Sequence, residues 1–151
     1  MSLFVFDTDT LSLFRGGHPE VVRRVLACPP RQRAVTIITV EEILSGWYAL
    51  VRKAKTPEQT EAAYERLASA VELLGTLRVL RLTVAAVERF EALKVQRLNI
   101  GAMDLRIAAI ALEHDATVVT RNRRDYDRVP ELRIEDWSLE EEPVTKIGQT
   151  P

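Results

Sequence analysis

The sequence predicts an α/β protein built on a mainly parallel sheet, and three observations carry that prediction. The runs Leu3-Phe4-Val5-Phe6, Ala34-Val35-Thr36-Ile37-Ile38 and Thr117-Val118-Val119-Thr120 are apolar nearly throughout, as strands covered on both faces must be. Longer segments with apolar residues at helical spacing separate them. Acidic residues follow the apolar runs, at the sheet edge where open α/β folds bind ligands.

The first strand ends at Asp7 and leads into a helix over 8–14, with Thr8 or Asp9 as its cap, broken by Gly16-Gly17. A second helix starts at Pro19 and stops before Cys28-Pro29-Pro30. After the strand at 34–38, Thr39 is the expected cap of a helix carrying Ile43, Leu44, Trp47, Leu50 and Val51, which places Glu41 and Glu42 in its first turn. The next helix, 56–74, has Ala63, Leu67, Ala70, Val71 and Leu74 at helical spacing. It forms a hairpin with its predecessor around Lys55-Thr56-Pro57. A weaker strand at 79–82 precedes a helix capped by Thr83 and running to about Leu98. Asn99-Ile100-Gly101 breaks the pattern before a strong helix at 102–114. The strand at 117–120, a polar turn at 121–127 and a short strand at 132–134 complete the domain. The expected boundaries are a domain over 1–138 and a loose tail over 139–151.

The 151 residues suit one domain, and 46% hydrophobic with 28% charged residues excludes a disordered or fibrous chain. A chain this long buries about 70% of its unfolded surface, so it folds without a metal or crosslink. With 21 Lys+Arg against 22 Asp+Glu, it is not a general coat for nucleic acid, although a local basic patch remains compatible with a nucleic-acid site. A single cysteine, Cys28, excludes an internal disulfide and any paired-cysteine metal site, and it reads as an inert thiol. No apolar run approaches the roughly 18 residues of a membrane span. The N-terminal run lacks a basic lead and reaches Asp7 quickly, so a cytoplasmic location is expected.

Acids from four distant stretches converge on the predicted sheet edge: Asp7 and Asp9, Glu41 and Glu42, Asp104, and Asp125 beside Asn122. Each alone suits a helix start. Together they repel one another unless a cation joins them. Oxygen donors suit Mg²⁺ or Mn²⁺ rather than zinc, and His18 and His114 lack ligand spacing. Such a cation supports phosphodiester chemistry, and the chain has neither of the glycine-rich phosphate loops. Arg121, Arg123, Arg124 and Arg128 cluster beside Asn122, and Arg97 and Arg106 flank Asp104. We read Arg97, Arg106, Arg121, Arg123 and Arg124 as candidate phosphate contacts.

Four segments carry a resemblance. Phe6-Asp7-Thr8-Asp9-Thr10-Leu11, Ile38-Thr39-Val40-Glu41-Glu42-Ile43-Leu44-Ser45-Gly46, Ile100-Gly101-Ala102-Met103-Asp104-Leu105-Arg106-Ile107-Ala108-Ala109 and Thr120-Arg121-Asn122-Arg123-Arg124-Asp125-Tyr126, followed by Val129-Pro130 and Trp137, resemble the motifs of PIN-domain ribonucleases. Within that family they are similar to the VapC toxins of type II toxin–antitoxin pairs. The resemblance implies a PIN-like three-layer sandwich with a central, mainly parallel sheet flanked by helices. It implies an endoribonuclease that uses Mg²⁺ or Mn²⁺ and inhibits translation. It also implies a homodimer and a small antitoxin, which we expect to place a basic residue in the acidic pocket. Asp7, Glu42 and Asp104 take the catalytic and metal positions. The fourth position falls either to Asn122, where many PIN domains have Asp, or to Asp125, which then supplies the charge with Asn122 as a neutral ligand or orienter. Asp9 either adds charge to the site or caps the first helix, Glu41 is a solvated helix residue, and Thr120 either bonds a metal ligand or water or is an ordinary strand-end hydroxyl.

Two alternatives stand beside this reading. The Asp7-x-Asp9 pair is also similar to the opening of haloacid-dehalogenase phosphatases. That motif calls for Thr or Val at the position of Leu11, and for a later lysine and acid pair that are not in place. A PIN-like module that binds RNA or protein without cutting is the other.

Overall fold

The computed structural model describes residues 2–141. The chain order is β1 (Phe4–Phe6), α1 (Thr8–Arg15), α2 (Pro19–Ala27), β2 (Arg33–Thr36), α3 (Ile37–Lys53), α4 (Pro57–Gly75), β3 (Arg78–Leu80), α5 (Val84–Val95), α6 (Ala102–Glu113), β4 (Thr117–Val119), α7 (Arg123–Tyr126) and β5 (Arg133–Glu135). A short 3-10 turn at Pro30–Gln32 leads into β2. The expected tail lies, from residue 142 onward, outside the described residues.

All five strands are parallel, in the order β3-β2-β1-β4-β5. Val5 stands opposite Ala34 on one side and Val118 on the other. These three residues point to one face, into a core formed with α5 and α6. The alternate residues Phe6, Val35 and Val119 point to the other face, against α1, α2 and Trp137. Both faces are therefore covered, giving three layers, and this is why the strands read as unbroken apolar runs. Phe4 and Phe6 meet the Trp137 ring at 5.1 and 5.4 Å, so the last segment of the domain is fastened under β1. Cys28 is buried, as an inert thiol should be. Among the described residues, no helix is long and apolar enough to cross a membrane.

Several boundaries differ from the expectation: β3 covers Arg78–Leu80 rather than 79–82, β5 covers Arg133–Glu135 rather than 132–134, and three further differences concern helix ends. The strand at 34–38 ends at Thr36, and α3 begins there: Thr36 Oγ1 accepts from Thr39 N at 3.2 Å, so Thr36 and not Thr39 is the cap. Ile37 and Ile38 are good strand formers, but the cap and the burial of Ile38 against the core hold them in the helix. Helix α1 is capped by Asp7 rather than by Thr8 or Asp9. Helix α5 stops at Val95, and Arg97 and Asn99 take left-handed backbone angles (φ 52° and 58°) in the connection to α6. Thr83 caps α5 as expected, and Thr56 and Gln59 close a reciprocal capping box at the start of α4.

Candidate active site

The strand order reverses direction at β1, with β2 on one side and β4 on the other, so the crevice at their C-terminal ends is the natural ligand position. Asp7 leaves β1 into this crevice and is only 7% exposed. Its Oδ1 accepts from Thr10 N at 2.8 Å, which makes the same carboxylate the cap of α1. The Thr120 hydroxyl, at the end of β4, also bonds it. Thr120 Oγ1 in turn accepts from Asn122 N at 2.9 Å, and Thr10 Oγ1 donates to Val119 O at 2.9 Å. Two strands and a helix start thus hold one carboxylate.

Glu42 comes from α3. With the cap at Thr36, it lies in the second turn rather than the first, so helix-start capping does not explain it. Thr8 Oγ1 donates to its Oε1 at 3.3 Å. Glu41 next to it is exposed, as a solvated helix residue should be. Asp104 stands in the first turn of α6, where Gly101 occupies the cap position without a side chain to offer. The hydroxyl of fully buried Tyr126 donates to Asp104 Oδ1 at 3.3 Å. At the end of β4, Asn122 Nδ2 donates to Asp125 Oδ2 at 3.0 Å, and Arg128 Nη1 approaches Asp125 Oδ1 at 3.6 Å.

The acids influence one another in pairs, Glu42 with Asp104 and Asp7, and Asp104 with Asp125. Burial pushes the Asp7 acid up, against the hydrogen bonds from Thr120 and Thr10. Burial also raises Glu42, and the charges of Asp104 and Asp7 raise it further. Asp104 is raised by burial and by Asp125, with the Tyr126 hydroxyl opposing. Tyr126 is driven far above its ordinary value by burial and then by Asp104 and Asp7, so its hydroxyl stays a donor.

Among the described residues, no three His, Cys, Asp or Glu side chains are placed closely enough to hold a metal ion together. Mg²⁺ asks for less, since it keeps several waters and takes one or two carboxylates. The donors fit it in kind: they are oxygens only, partly withdrawn from water, and mutually repelling.

Residues 4–132 match the PIN domain family. The chain belongs to that family. Over 137 residues this PIN domain is 28% identical to the tRNA(fMet)-specific endonuclease VapC of Salmonella typhimurium, covering 91% of the chain and 99% of that protein. It is 28% identical over 138 residues to Ribonuclease VapC1 of Haemophilus influenzae strain R2866, covering 90% and 98%. Among solved structures, it superposes on a chain of DNA-bound VapBC from Salmonella typhimurium with a TM-score of 0.74 and 27% identity, covering 91% of this chain and 99% of that one. A toxin-antitoxin complex from Klebsiella pneumoniae gives a TM-score of 0.64 at 26% identity, over 83% and 92%.

The PIN domain distributes its candidate arginines unevenly. Arg121 is bound to Asp9 through two hydrogen bonds of 2.7 and 2.8 Å, so Asp9 is neither the helix cap nor a free acid. Arg123 and Arg124 are exposed on α7 beside Asn122. Arg97 is exposed in the α5–α6 connection. Arg106 lies with its guanidinium 4.6 Å from the Phe90 ring centre, packed between α6 and α5. Its spacing from Asp104, two residues along a helix, turns the two side chains to different faces.

Two hydroxyl partners of the candidate acids are not legible in the sequence. Tyr126 was legible only as an apolar residue in the last motif, and Thr8 only as a helix start. Their hydroxyls reach Asp104 and Glu42 across 22 and 34 residues, and such long-range pairs leave no local pattern.

Proposed function

We propose that this PIN domain is a divalent-metal-dependent endoribonuclease, the toxin of a toxin–antitoxin pair that stops translation by cutting RNA. The observation that carries it is the set Asp7, Glu42 and Asp104, three acids from three elements raised by burial and, for Glu42, by its two neighbours' charges. The names of the VapC relatives support the same reading.

Asp7, Glu42 and Asp104, with Asp125 or Asn122, would hold Mg²⁺ or Mn²⁺. Bound there, the ion supplies charge neutralisation at the phosphate and a more acidic water. The protein's own part is orientation. Thr120 and Thr10 fix Asp7, Thr8 fixes one oxygen of Glu42, and Tyr126 holds Asp104 from the buried side. Arg123 and Arg124 give an approaching RNA backbone a cationic lead-in.

For regulation, we infer a homodimer and a small antitoxin with an Arg or Lys that enters near Asp7, Glu42 and Asp104. A guanidinium suits a pocket of carboxylates because it is planar and always charged. A phosphatase reading is disfavoured by Asp9, whose carboxylate is engaged by Arg121, and by Leu11, which is buried in the core.

The test is cleavage of a mixed RNA pool by purified protein, with Mg²⁺ or Mn²⁺ and with EDTA. Internal cleavage that appears only with the metal is expected. Equal cleavage in EDTA would contradict the metal site, and no cleavage of any RNA would favour a binding module.

A further inference from the structure

We propose that the groove between α1, α3 and α4 is a subsite for single-stranded RNA, gripping the phosphodiester backbone on one side of the scissile bond. The inference rests on the ribonuclease reading and extends it to residues outside the family motifs.

The groove begins at the acids. A cavity of ≈ 370 Å³ has Thr8 and Glu42 in its wall at one end and Arg15, Trp47 and Arg66 at the other. It falls within the range of roughly 300–1,000 Å³ usual for ligand sites. A second cavity of ≈ 410 Å³ shares Leu50 and Arg66 with it and continues to Lys53 and Gln59. A track therefore runs from Glu42 to the end of α3, with cations from three helices along it. Glu42 is the only carboxylate in either wall among the described residues.

The arginines are held as if for an anion. The Arg15 and Arg66 guanidiniums lie over the Trp47 ring, at 5.1 and 5.7 Å from its centre. Among the described residues, neither forms an ion pair. Cation–π contact fixes a guanidinium without consuming its charge or its N–H donors. Two guanidiniums without an ion-pair partner among the described residues, together with Lys53, complement a chain of phosphates, and Ile43 and Leu50 add an apolar, sequence-neutral floor. An antitoxin segment that covered this groove would then block RNA directly.

The experiment uses the full chain with Asp104→Asn to stop cleavage, and a fluorescein-labelled single-stranded oligoribonucleotide read by anisotropy across a salt series. Arg15→Gln plus Arg66→Gln should weaken binding about 10-fold and reduce the salt slope by about 0.7 per arginine. The loss should be similar for oligonucleotides of different sequence. Arg15→Lys plus Arg66→Lys should keep the slope, which separates charge from packing. The chain has two tryptophans, and Trp137 is buried against Phe4 and Phe6, so RNA should perturb the emission of Trp47 and the change should vanish in Trp47→Phe. Unchanged affinity and slope in the double Gln variant, with wild type cleaving RNA, would overturn the subsite, leave the ribonuclease reading intact and assign the groove to a protein partner. A wild type that neither binds nor cleaves RNA would overturn both.

Discussion

Asp7 caps a helix and, in the proposed site, is also a catalytic carboxylate. As a cap it satisfies Thr10 N, and as a site residue it faces the other acids from the end of β1. Its burial, like that of Glu42 and Asp104, favours the neutral acid in the fold. The unfolded chain ionises these groups near the ordinary values of 3.8 for Asp and 4.5 for Glu. Over the pH range between the unfolded and the raised folded pKa, the folded protein binds more protons, so their contribution to stability is fullest below that range and is lost as pH rises through it. Metal-free Asp104→Asn should therefore melt a few degrees above wild type at pH 7, and the gap should close as pH approaches 4. Thermal melts in EDTA across that range check this, and a gap that does not change with pH would show that repulsion and desolvation at Asp104 are not its source. At the other side of the site, Asn122 holds Asp125, so Asn122→Ala should lower cleavage about 10-fold, as lost orienting partners do. Asp125→Asn should lower it more. The reverse order in a cleavage assay would make Asn122 the fourth site residue. The acids themselves were legible because strand-end acids have a position in the sequence. Thr8 and Tyr126 were not, because a hydroxyl's partner is set by the fold.

At the scale of elements, the start of α3 decides where Glu42 lies. The run Ala34 to Ile38 reads as one strand because its residues are β-branched or small, and the helix pattern becomes visible only after Thr39. The structure ends β2 at Thr36 because that side chain caps the helix and because Ile38 packs under α5 and α6. The shift of the cap by three residues, from Thr39 to Thr36, moves Glu42 out of the first turn, where Thr8 bonds it. Thr36→Ala should cost about 1–2 kcal/mol of stability, measurable by urea unfolding. It should also lower cleavage, since the α3 start positions Glu42. A variant as stable as wild type would show that packing, not the cap, fixes this helix. Most other elements were readable, since their caps and breaks are local: Pro19, the Thr56–Gln59 box, Thr83 and Gly101.

At the scale of the molecule, the parallel order β3-β2-β1-β4-β5 brings residues 7, 42, 104 and 120–125 to one edge, although they are spread over most of the chain. The apolar strands and the helices between them made that layout legible, whereas strand order and the packing of Arg106 on Phe90 required the fold. Tyr48 and Leu50 stay exposed on α3, which suits the proposed second copy or antitoxin. Light scattering at micromolar concentration should give a dimer mass, and a monomer with no shift on adding the cognate antitoxin would refute that assembly. Raising Mg²⁺ should weaken antitoxin affinity, because ion and guanidinium seek the same carboxylates. Calorimetric titration showing an affinity independent of Mg²⁺ would place inhibition elsewhere.

The central claim is that the three acids form a catalytic set and not a structural one. Its most direct test measures RNA cleavage and thermal stability together in Asp7→Asn, Glu42→Gln and Asp104→Asn, each a change of charge with little change of shape. Each variant should lose cleavage by about 100-fold or more, since each removes several kcal/mol of charge stabilisation, while remaining folded and at least nearly as stable as wild type without metal. Cleavage retained by any two of the three folded variants would contradict the account.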